Sequence, residues 1–70
     1  MELSDILNDL FIFCSKKDIS FRYLSSDSEI NKIEVNKQNR ELVVTIIDPE
    51  DKNFLRELGD IKTMLEQLFH

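Results

Sequence analysis

The stretch ELVVTII, residues 41–47, limits the possible folds of this chain more than any other. Successive side chains of an extended chain point to opposite faces. Leu42, Val44 and Ile46 therefore share one face, and Val43, Thr45 and Ile47 the other. A strand that is apolar on both faces is expected at the centre of a sheet, or beneath a second covered surface. Turn-forming residues bound it on both sides, in NKQNR before it and DPED after it.

Two further alternations precede it. In ISFRYLS, Ile19, Phe21 and Tyr23 point one way and Ser20, Arg22 and Leu24 the other, as in a half-buried strand. In INKIEVN, Ile33 and Val35 oppose Ile30, Lys32 and Glu34, and SSDSE between the two strands reads as a turn. Helical periodicity occupies the rest. Leu3, Ile6, Leu7, Leu10, Phe11, Phe13 and Cys14 recur at the spacing of an amphipathic helix between Glu2 and Lys17. Ser4 is its expected cap, Asp5 suits the positive N-terminal dipole, and Lys16 and Lys17 suit the last turn. After Asp48, Phe54, Leu58, Ile61, Leu65 and Leu68 recur at 4-3-4-3 spacing, flanked by Leu55, Met64 and Phe69. DPED then reads as a helix start, with Asp48 as N-cap, Pro49 at the first helical position and Glu50 and Asp51 in the first turn. Gly59–Asp60 leaves open whether this helix is straight or broken.

The expected fold is therefore α+β: an α-β-β-β-α order in one domain, 1–70, with a three-stranded antiparallel meander and both helices on one face. The opposite face would carry Leu24, Ile30, Val43 and Ile47 among polar residues. That face or the broad first helix offers a dimer contact.

A chain of 70 residues buries only about 60% of its unfolded surface and needs further support. Cys14 is the only cysteine, so no internal disulfide forms, and Cys14 with His70 falls short of the ligands of a structural zinc. A homodimer is the remaining way to stabilise it. Nothing reads as a spanning helix or a signal peptide, and a lone thiol fits a cytoplasmic location.

No catalytic or cofactor-binding motif occurs, and no cofactor is expected. His70 is terminal, and Cys14 lies on the apolar side of its helix. The pair Glu50–Asp51 has neither a metal-binding loop nor phosphate-binding glycines around it, since Gly59 is the only glycine. Enzymatic function is rejected on these grounds. Direct binding to nucleic acid is disfavoured by a net charge of −5, although Phe21 and Tyr23 resemble stacking aromatics on a strand. A rival reading is a protein–protein module that docks through an apolar face such as the stripe of the second helix.

Charge placement favours a different reading. In a meander, the first turn lies beside the end of the third strand, so Asp27 and Glu29 should meet Asp48, with Glu50 and Asp51 starting the second helix there. The first helix should bring Glu2 and Asp5 to the same rim, where Lys52 is the accompanying base. Lys16, Lys17, Lys37 and Arg40 fall on the opposite rim. Acids at helix starts are ordinary features of folding; their collection on one rim is not required by it. Such a rim can imitate the phosphate charge of duplex DNA and occupy the basic groove of a DNA-binding protein.

A short acidic chain of this element order, rich in Ile, Asn, Lys and Asp, resembles the DNA-mimic inhibitors with which phages disable host DNA-binding proteins. Two groups are similar: inhibitors of the histone-like nucleoid protein HU and, more distantly, anti-CRISPR proteins acting on a type II CRISPR nuclease. The layout DILNDL…KKDISFRYLSSDSEINKIEV carries the second likeness, over roughly residues 5–47. The resemblance implies a partner-binding site of acidic surface residues, here Glu2, Asp5, Asp27, Glu29, Asp48, Glu50 and Asp51, acting in the host bacterial cytoplasm.

Overall fold

The computed structural model describes residues 2–25 and 30–69. The elements run α1 (Leu3–Lys16), β1 (Ser20–Leu24), β2 (Lys32–Asn36), β3 (Glu41–Thr45) and α2 (Lys52–Leu68). The class is α+β and the element order is that of the sequence analysis.

The sheet is not the expected meander. Its order is β1-β3-β2, with β3 antiparallel to β2 and parallel to β1. The hairpin between β2 and β3 forms as expected. Strand β1, however, pairs with β3 and not with its sequence neighbour β2. The reason lies in β3 itself. The strand with most apolar surface on both faces gains most from the middle, where two neighbours pair its backbone and flank its side chains. In a meander that position would have gone to β2, whose Lys32 and Glu34 prefer an edge.

Both helices cover one face of this mixed sheet. Leu42, Val44 and Ile46 of the central strand are buried together with Ile6, Leu10 and Cys14 from α1 and Phe54, Leu58, Ile61 and Leu65 from α2. The 4-3 stripe of α2 is thus core, which removes it as a docking face. Across the pleat, Arg22, Lys32 and Glu34 are exposed, and Val43 and Thr45 are half-buried.

Helix ends differ in detail from the sequence reading. Ser4 lies inside α1, whose N-cap is Glu2 acting through its backbone: the Glu2 carbonyl accepts from the N–H groups of Asp5 and Ile6. At the other end the chain leaves α1 through Asp18, at φ 58°. The Ile19 N–H donates to the Cys14 carbonyl at 2.8 Å, the reversal that satisfies orphan carbonyls at a helix C-terminus. Helix α2 runs unbroken through Gly59, and its N-cap is Asp51 rather than Asp48. The Asp51 carboxylate accepts from the Phe54 N–H at 3.2 Å.

Candidate partner-binding surface

Two anchors fix the ends of the molecule. One is Arg40, at the β2–β3 turn, held at φ 50°. Its guanidinium donates to the Asp18 and Lys17 carbonyls just beyond α1. It also lies 4.9 Å over the ring of Phe69, just beyond α2. Both helices therefore finish at the same rim of the sheet.

The other anchor is Asn31, just before β2. Its side-chain oxygen accepts from the N–H groups of Ile47 and Asp48 at 2.7 and 2.9 Å, and its amide donates to the Asp48 carbonyl at 2.9 Å. The segment leaving β3 is thereby tied to the segment entering β2. The Asp48 carboxylate then accepts from the Glu50 N–H at 3.0 Å, a local turn that redirects the chain into α2. With its backbone held to Asn31, Asp48 cannot also open the helix. The cap passes to Asp51.

Because both helices end at the Arg40 rim, both begin toward the Asn31 rim and run side by side in the same direction. Ile6 of α1 and Lys52 of α2 accordingly line one groove near those beginnings. Helix α1, at about 1.5 Å per residue, is also longer than a strand of β1's length and reaches the far rim. The structure thus places Glu2, Asp5, Asp48, Glu50 and Asp51 toward one end of the molecule. Asp51 is half-buried and the other four are exposed. Asp27 and Glu29 lie outside the described residues, as does His70.

Bases accompany this end more closely than the sequence reading allowed. Lys32 pairs across the ladder with Thr45, at the Asn31 rim, in addition to the expected Lys52. Its ammonium is 2.6 Å from Glu34. A second ion pair, missed from sequence, ties the helices together: Lys62 donates to the Asp9 carboxylate at 2.6 Å. Both charges fall at helical positions outside the apolar stripes, and only the packing of α1 on α2 makes them neighbours. Above that pair lies a groove of about 560 Å³ floored by Ile6, Leu10, Leu55 and Leu58, and open beside Gly59.

Cys14 is fully buried, and burial pushes its thiol pKa up from the ordinary cysteine value. A nucleophilic cysteine needs the opposite shift. Among the described residues no group of three or more His, Cys, Asp or Glu is placed to hold a metal ion. No helix there is long and apolar enough to cross a membrane. Comparison with protein-family models, curated proteins and solved structures returns no match.

Proposed function

We propose that this protein is a non-catalytic inhibitor that presents its acidic end to the basic DNA-binding surface of another protein in the bacterial cytoplasm and excludes DNA from it. The observation that carries the reading is the parallel course of the two helices. It brings the acids at both helix starts, Glu2 and Asp5 with Glu50 and Asp51, to the end where β3 delivers Asp48. Each helix start also contributes roughly half a positive charge from its dipole, which offsets part of this field. The five carboxylates still outnumber Lys32, Lys52 and Arg56 there, and Lys32 is engaged by Glu34.

The nucleoid protein HU, a small basic DNA-binder, is the first partner to test, with a type II CRISPR nuclease as a parallel arm. The informative variant combines Glu2→Gln, Asp5→Asn, Asp48→Asn, Glu50→Gln and Asp51→Asn. Asn preserves an acceptor at Asp48 and at Asp51, so the turn and the cap survive the loss of charge. Rim charge pairs contribute about 0.5 kcal/mol or more each, so the five changes together should weaken binding on the order of 100-fold. Binding is read by calorimetry or by displacement of labelled duplex DNA, with circular dichroism as the folding control. Unchanged affinity for the bound partner would overturn the reading.

A further inference from the structure

We propose that the open edge of β1 is where a second copy of this chain adds, strand against strand, across a two-fold axis passing beside Arg22. The proposal stands apart from the acidic end and does not depend on any partner binding there.

The parallel ladder fixes which backbone groups β1 spends inside the sheet. The Ser20 N–H donates to the Arg40 carbonyl at 2.8 Å, and the Leu24 carbonyl accepts from the Ile46 N–H at 3.0 Å. With Arg22 opposite Val43, residues 20, 22 and 24 turn their backbone groups toward β3. Phe21 and Tyr23 therefore aim theirs outward, at an edge no described element covers. Their side chains lie on the helix-covered face, beside Leu42 and Val44 in the register. Even so Phe21 is only half-buried, and Tyr23 is 46% exposed.

Helix α1 adds to the same side. Asp9 reaches across one flank of α1 to Lys62 of α2. Phe11, two residues on, lies about 200° further round the helix, on the flank away from α2. It is 59% exposed. Since β1 is an outer strand and α1 packs on it, Phe11 overhangs the open edge.

This edge lacks the protections edge strands normally carry, and the other edge has them. Strand β2 holds the Lys32–Glu34 ion pair and is followed by Lys37, whereas β1 carries Arg22 as its single charge.

A second copy fits because the edge is complementary to itself. In an antiparallel pairing centred on Arg22, Phe21 stands opposite the second copy's Tyr23 and Tyr23 opposite its Phe21, each pair exchanging both N–H···O bonds. Those are aromatic cross-strand pairs, a favourable class. Arg22 then meets its own symmetry mate on the outer face. The Glu41 carboxylate, 3.8 Å from Arg22 within each copy, supplies the two opposite charges that make the group neutral. Registers shifted by two residues keep the pleat and the outward backbone pairing but set Phe21 opposite Ser25 or Tyr23 opposite Ile19, so only the register centred on Arg22 makes both Phe21–Tyr23 pairs.

Sedimentation equilibrium of the full chain should give twice 8.3 kDa at concentrations up to about 1 mM, and a single-chain mass throughout would overturn the proposal. Tyr23→Pro removes an outward N–H and no bond within the sheet, a position where edge strands accept proline. It should return the mass to 8.3 kDa with the circular dichroism of the parent. A dimer that survives this change, with the fold intact, would place the interface elsewhere. Should Tyr23→Pro fail to fold, Arg22→Cys decides. Non-hydrogen-bonded antiparallel positions approach to about 4.5 Å between Cα atoms, close enough for a disulfide. Under oxidised glutathione it should cross-link to dimer in high yield, while Glu34→Cys on the other edge should not. Equal yields from the two variants would overturn the register.

Discussion

Asp51 accepts a hydrogen bond from the Phe54 N–H, and it is one of the acids gathered at the Asn31 rim. Charge and capping can be separated at this position, because Asn caps as well as Asp. Asp51→Ala should cost about 1 kcal/mol, lowering the melting temperature by roughly 4–8 °C for a domain of this size. Asp51→Asn should leave it within a degree or two, and thermal denaturation followed by circular dichroism checks both. If the two variants melt together, the cap is not what Asp51 contributes. DPED was legible as a helix start from Pro49 and the three acids around it. The capping residue within it was not. Three hydrogen bonds, two accepted and one donated by the Asn31 side chain, hold the backbone at Ile47 and Asp48, and no local pattern announces a contact between positions 31 and 48. At Asp18 and Arg40 the same limit appears in another form. Both adopt positive φ, at 58° and 50°, where glycine would have been the visible signal. Arg40 is kept there by what its side chain holds, the carbonyls beyond α1 and the ring of Phe69.

Among the elements, the helices are legible from their periodicity because the apolar stripe and the buried face coincide except at Phe11, which is exposed. Ile6, Leu10 and Cys14 face the core of the sheet, as do Phe54, Leu58, Ile61 and Leu65. Gly59 left α2 ambiguous, since glycine weakens a helix by about 1 kcal/mol without having to end it. Here nothing lies within 4 Å of the place its Cβ would occupy. Gly59→Ala should therefore stabilise the protein by about 0.5–1 kcal/mol, seen as a higher urea midpoint with an unchanged slope. A loss of stability would mean that the neighbouring groove closes on Gly59 in solution. The strands were legible one at a time; their pairing was not. Short connections favour sequential pairing, which predicts a meander. The competing signal was already present in ELVVTII. A strand apolar on both faces belongs in the middle, and in a three-stranded sheet that claim is incompatible with a meander in which it comes last. Composition across the pleat outweighed proximity along the chain.

At the scale of the molecule, the mixed topology keeps Glu2, Asp5, Asp48, Glu50 and Asp51 toward one end as a meander would, while Asp27 and Glu29 lie outside the described residues. Reversing β1's neighbour leaves its direction unchanged, so α1 still returns from the Arg40 rim toward the Asn31 rim. What changed is the compensation, since Lys32 joins that end through its register with Thr45. The two proposals then constrain each other. Antiparallel β1 strands in a dimer point the two acidic ends in opposite directions along the sheet, so neither end is covered by the other copy. Each should bind a basic partner as an independent site. The monomeric Tyr23→Pro variant should consequently keep the parent's affinity per chain for HU, with one partner site per chain in both proteins. Both affinities should fall together as ionic strength rises, because exposed charges at the rim are screened beyond about 10 Å at 0.1 M salt. Calorimetric titrations of parent and variant across a salt series test this. A variant that is folded and monomeric yet has lost binding would show that the partner spans both copies, and would move part of the site from the acidic end to the paired edge.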